Sequence, residues 1–357
     1  LTSEAEFLKP KSDCSTNALH IDPKGCDVSM PVVETTYGGV PALTMTRGDY
    51  QAILLPEKGG NLVSFRDTAK NYRFIREPLE DMERFERSPI RFGIPILFPP
   101  NRYEDGRFTA AGQSYELPVN EESTHNHIHG FLYRAEWPVV GQGEDGRETF
   151  VEIRQDIDQS HPMYAHWPHA FSISVLYALS EDGLRQQVRI VNHSDRPMPC
   201  MLGFHTALNV PFAEGSDKDD YVFTATIGER WELSDRKLPT GRFQPLNEGE
   251  QRIAHGGISP FFEPMDNHYT ARPVEGHNRM VLTDRRLGVK LVYDVGLRYR
   301  HWMIWNDGAG GEFFCPEPQT NMVNAPNTGL PDDVSGFVLL APSETWEEEC
   351  RFYVENA

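Results

Sequence analysis

"FSISVLYALSEDGLRQQVRIVNHSDRPM", residues 171 to 198, reads as two extended runs joined at Asp182-Gly183. Asp-Gly between apolar runs is a strong hairpin signal, because both residues accept the positive φ of a tight turn. In the second run Leu184, Gln186, Val188 and Ile190 fall on one face, with Arg185, Gln187 and Arg189 on the other. That period of two is what a strand with one buried face requires.

Working outward, the same grammar recurs. "YQAILLPEKGGNLVSFRD" (50–67) is a strand, a Pro-Glu-Lys-Gly-Gly turn and a second strand. Further strands are expected in "YVFTATIGERWEL", "RMVLTDRRLGVKLVYDVG", "YRHWMIWN" and "SGFVLLAPSETWEEECRFYV". Only "PLEDMERFERSP" (78–89) reads as helix, bounded by a proline at each end. There is no alternating strand–helix rhythm and no fixed repeat. The expectation is an all-β chain: a large antiparallel β-sandwich over residues 31–357, one domain, preceded by a polar N-terminal arm over residues 1–30.

Composition narrows the function classes. A formal charge of −19 over 357 residues argues against a nucleic-acid partner, since phosphate binding needs clustered Lys and Arg. No apolar run approaches the length that spans a bilayer. The opening "LTSEAEFLKPKSDC" lacks both an initiator Met and the basic-then-apolar pattern of a secretory signal. Cys14, Cys26, Cys200, Cys315 and Cys350 are scattered and odd in number, without a CxxC pair. They read as buried thiols of a reducing compartment, which points to the cytoplasm.

"THNHIHGFLYRAEWPVV" (124–140) places His125, His127 and His129 at alternating positions. On an extended strand all three rings share a face and invite a zinc reading. The carboxylate that a cupin-like set would need is missing, for residues 131 and 132 are Phe and Leu and the next acid is Glu136. Gly130 also suggests that the strand ends there, so no metal is expected and His125 and His127 are placed at a rim. Three other segments hold acid–base chemistry: Asn101-Arg102 after Pro99-Pro100, His205 with Asn209 downstream, and Glu317 between two prolines. Histidine plus carboxylate on separate strands is the material of a general acid–base site.

These segments together resemble the aldose 1-epimerase (galactose mutarotase) family. "LLPEKGGNLVSF" is similar to its early Pro-x-x-Gly-Gly/Ala turn, and "GIPILFPPNR" to its Gly-x-Pro…Asn-Arg segment. "HGFLYRAEW", "LGFHTALNV", "MDNHY", "FFCPEPQT" and "PTGRFQPL" follow in the family's order. The chain departs from the pattern at Pro100, where an aromatic is usual, and at "GFHTALNV", which replaces Gly-Tyr-His-Pro-Tyr-Phe-Asn.

The resemblance implies a general acid at His205, a base at Glu317, a further active-site histidine at His129 and a sugar-binding acid at Asp266. Arg102 and Asn101 would help orient hydroxyls, and Trp302, Trp305 or Phe314 would stack on the ring. Glu317 and His205 are expected to face each other across a cleft holding one sugar. It implies a free or phosphorylated hexose as substrate and no cofactor; a homodimer stays open. The competing readings are a non-catalytic carbohydrate-binding or regulatory protein on the same fold, an epimerase specific for a hexose 6-phosphate, and a metal enzyme built on the histidine row.

Overall fold

The computed structural model describes residues 32–357, which form one compact unit. The polar arm expected at 1–30, with Cys14 and Cys26, lies outside the described residues. Three antiparallel sheets carry the fold. A five-stranded meander runs Val32–Tyr37, Val40–Arg47, Tyr50–Leu55, Asn61–Asp67, Tyr72–Arg73. An eight-stranded sheet is ordered Val139–Glu144, Thr149–Ile157, Phe171–Ser180, Gly183–Asn192, Thr345–Asn356, Val289–Asp294, Arg279–Asp284, Tyr221–Ala225. The third, hereafter the site sheet, is ordered Pro239–Gln244, Ile227–Leu233, Asp266–Ala271, His301–Trp305, Phe313–Gln319, Gly203–Phe204, Ile96–Leu97.

The opening hairpin forms with Ser180 paired to Gly183, so Glu181-Asp182 make the loop and Gly183 (φ +129°) begins the return strand. Leu184, Gln186, Val188 and Ile190 are buried as the alternation requires. The site sheet packs its other face on the eight-stranded sheet: Trp302 meets Tyr293 and Phe314 meets Phe223, with ring centroids 6.3 and 5.0 Å apart. Such aromatic layers supply much of the hydrophobic stabilisation of a sandwich core.

The helix expected at 78–89 is shorter, Met82–Arg87, started by the Asp81 side chain accepting from the Arg84 amide. Sequence reading missed a second one, Glu248–Ala254, which opens on a reciprocal Asn247–Glu250 capping box. Cys200, Cys315 and Cys350 are free and buried. Among the described residues no helix is long and apolar enough to cross a membrane.

Candidate active site

Register assembles the site. Asp266 pairs with Trp305, Trp305 with Cys315, and Met303 with Glu317, so Asp266, Trp305 and Glu317 share one face of three neighbouring strands. On the far side of Phe313–Gln319, Gly203 pairs with Gln319 and Leu208 with Phe314. The paired positions are five apart on each strand, so His205 stands opposite Glu317. Between those anchors Pro316 and Pro318 have no N–H to give to a ladder, and the facing chain turns away to other partners. The His205 amide bonds Pro95 and the Ala207 amide bonds Gly93. The prolines around Glu317 thus open the sheet where His205 enters.

His205 Nε2 lies 3.2 Å from Glu317 Oε1, both side chains nearly inaccessible. This corrects the expectation of a ring-wide gap between them. The reason is the register: Gly203 on Gln319 and Leu208 on Phe314 hold the two chains beside each other, so facing side chains at 205 and 317 meet directly. Burial pushes the Glu317 carboxyl well above the usual carboxylate range, and Asp266 adds to this while Arg102 and Gln319 oppose it. Burial also pushes His205 down to about 3, with Arg91 and Arg102 contributing in the same direction. Both shifts favour a neutral pair holding one titratable proton between them.

His129 arrives from a different loop. Its ring is 5.3 Å from that of His205 and nearly perpendicular to it. Burial, then His205 and Arg102, holds it well below the usual histidine range. His129 (φ +66°) and Gly130 (φ +68°) are consecutive left-handed residues, and the His129 amide bonds the carbonyl of Asn101 (φ +55°). A Cβ on Gly130 would lie 2.1 Å from the Phe98 carbonyl oxygen. Only glycine permits this crossing of the two segments.

The histidine row does not exist as a row. His125 (φ +52°) is exposed and bonds Asp105, 2.8 Å away. His127 belongs to the three-residue strand Asn126–Ile128 paired with Arg102–Glu104. It is buried, not at a rim as expected: its Nδ1–H donates to the Pro118 carbonyl at 2.7 Å and its ring packs on Phe131. Burial pushes it down to about 4.

Arg102 donates twice to Glu121 at 2.9 Å, through Nε and Nη2, and its Nη1 lies 3.8 Å from Asp266. Asp266 is also 3.8 Å from Lys237 Nζ. Trp305 presents its ring to His205 at 5.6 Å, with the Arg91 guanidinium 5.0 Å from its centroid and paired to Asp307. Trp302 and Phe314 do not reach the cleft. Trp302 is fully buried on the opposite face, its indole N–H donating to Asn278 at 2.9 Å, and Phe314 lies in the same core. Asn209 is likewise structural, bonding the Arg73 and Ile75 carbonyls. Glu121, Arg91 and Lys237 were not foreseen. Nothing in "NEEST" distinguishes Glu121 from Glu122.

On these residues four buried polar atoms lack a protein partner: Asn101 Oδ1, His129 Nδ1, His205 Nδ1 and Glu317 Oε2. Buried polar groups are ordinarily paired, so unpaired ones on His129, His205, Glu317 and Asn101 set these residues apart as candidates to meet a polar ligand.

Residues 41–353 match the aldose 1-epimerase family. The chain belongs to that family. A crystal structure of a galactose mutarotase-like protein from Clostridium acetobutylicum superposes with a TM-score of 0.88 at 32% identity, over 92% of this chain and 99% of that one. The uncharacterized protein YihR of Escherichia coli K12 is 26% identical over 157 residues, 43% of this chain and 47% of its own. Galactose mutarotase of Rattus norvegicus is 25% identical over 169 residues, 46% of each. The chain spans about half the length of these two curated relatives.

Proposed function

We propose that this aldose 1-epimerase family member interconverts the α and β anomers of a hexose by acid–base ring opening. The observation that carries the reading is the buried His205–Glu317 contact, in which each side chain keeps a second polar atom without a protein partner. The sugar docks with C1 at that contact. Glu317 takes the proton of the C1 hydroxyl while His205 delivers one to the ring oxygen, and the C1–O5 bond opens. The aldehyde end turns about C1–C2, O5 attacks the other face, and both protons return. For this the shared proton moves onto His205 as hydrogen bonds from sugar hydroxyls stabilise the Glu317 carboxylate. His129 supports the charge developing at the ring oxygen in a site that excludes water. Arg102, Asp266 and Asn101 hold ring hydroxyls, and Trp305 offers the apolar wall. Protons alone move, so the reaction calls for no cofactor and no partner beyond the sugar.

The test is NMR of anomer interconversion over a panel of free and 6-phosphorylated aldoses, with Glu317→Gln as control. Catalysis of at least one hexose, abolished in the variant, supports the reading. Saturable sugar binding without interconversion would replace it with a carbohydrate-binding protein on this fold.

A further inference from the structure

The histidine-rich stretch holds more than His129. Arg236 leaves the turn between Ile227–Leu233 and Pro239–Gln244 and reaches that stretch with its whole guanidinium. Nε donates to the Thr124 carbonyl at 2.9 Å, and Nη2 to the His125 carbonyl at 2.8 Å and to Asp105 at 2.7 Å. Nη1 donates to Glu104 at 2.9 Å. In return the buried Asn126 amide donates to the Arg236 carbonyl at 2.9 Å.

The contacts continue inward. Asn126 and Thr124 both donate to Glu121, which takes the two bonds from Arg102. Arg102 faces Asp266, and Asp266 faces Lys237, the residue that follows Arg236. The circuit therefore closes on itself. Lys237 has φ +61°, a left-handed conformation unusual for a long side chain, held by its amide bond to Ser234. Such local strain persists where the surroundings over-determine it, and the anchored Arg236 next door does so.

We propose that Arg236 is a positioning residue for sugar binding, clasping the 121–129 segment to the site sheet so that Arg102 and Asp266 keep a fixed separation. Resting on the epimerase reading, it adds a residue that touches neither the sugar nor the reacting groups. The planar fork matters, because one side chain serves five acceptors at set angles, the fifth being Asn126 Oδ1 at 3.3 Å, and a lysine ammonium cannot. Glu317 comes from the site sheet itself, and His205 follows its strand Gly203–Phe204 and is tied to Pro95 through its amide, so both stay in place without the clasp.

The test compares Arg236→Met and Arg236→Lys with Glu121→Gln and the Arg236→Met/Glu121→Gln double variant. Arg236→Met should raise KM about tenfold and leave kcat within about threefold. Arg236→Lys should remain at least about fivefold above the wild-type KM. The double variant should be no worse than the poorer single, as one network requires. Amide exchange without sugar gives a second readout. Asn126 and His129 should exchange at least about tenfold faster in Arg236→Met while Phe313–Gln319 is unchanged. Unaltered KM, multiplying effects in the double variant, or unaltered exchange at 121–129 would each overturn the clasp. Should the wild-type protein interconvert no anomers, the epimerase reading fails and the exchange measurement alone decides the clasp.

Discussion

Replacing Glu317 by Gln keeps the shape of the side chain, so KM should stay within about threefold while the base is lost. General base catalysis contributes on the order of 10²–10⁴-fold, so kcat should fall by that factor, about 2.7–5.5 kcal/mol of transition-state stabilisation. The same variant should affect stability in the opposite sense. The Glu317 carboxyl is buried, its Oε2 has no protein partner, and its folded pKa is raised well above the ordinary value. The folded protein therefore binds that proton more tightly than the unfolded chain does. Stability contributed by a raised carboxyl is present below the unfolded pKa and lost as pH rises toward the folded one. Gln has no such loss, so its Tm advantage should be absent near about pH 4 and grow toward about pH 8. NMR saturation transfer between anomers reads kcat, and thermal melts over a pH series read stability. Turnover within tenfold of wild type would remove Glu317 as the base, and a lower Tm at about pH 8 would refute the burial argument.

Four further outcomes are expected. Because burial pushes His205 down to about 3, NMR of the resting protein should show no titration of its imidazole near 6.5, where a free histidine titrates. His129→Asn should lower kcat at least about tenfold, roughly 1.4 kcal/mol; His127→Leu should instead lower Tm by leaving the Pro118 carbonyl without its donor, and His125→Asn should change neither. Trp302→Ala should destabilise by about 3–5 kcal/mol in denaturant melts, whereas Trp305→Ala should raise KM with little loss of stability. Exhaustive chelation should leave turnover intact; loss restored by one added metal would reopen the histidine-row reading.

The fold was legible because alternation and Asp-Gly chemistry are local, and residues 171–192 carry both. The site was legible in pieces, at His129, Arg102, His205, Asp266 and Glu317, because motif order needs no distances. What escaped depends on pairing between strands. Trp302 and Trp305 are three apart and lie on opposite faces, and only the Met303–Glu317 register tells which face looks into the cleft. His127 was misplaced because Asn126–Ile128 is a three-residue strand, and no periodicity can be read from so few positions. Two signals were present and unread. Asn247 and Glu250 stand at capping-box spacing, and Pro-Glu-Pro marks a strand that cannot complete its ladder on one side.

The burial of His205 and Glu317 in mutual contact has a consequence for how such a site relates to water. An inverting glycosidase ends its chemical step with the acid deprotonated and the base protonated, and that proton must be redistributed before the next turnover. Anomerisation as proposed hands back both borrowed protons when the ring recloses, so the resting and finishing states are identical. A dyad with side chains 4% and 2% exposed can then turn over repeatedly without contact with bulk solvent. Its rate should not respond to buffer concentration, and deep burial, which would strand other acid–base dyads, leaves this one ready for the next sugar.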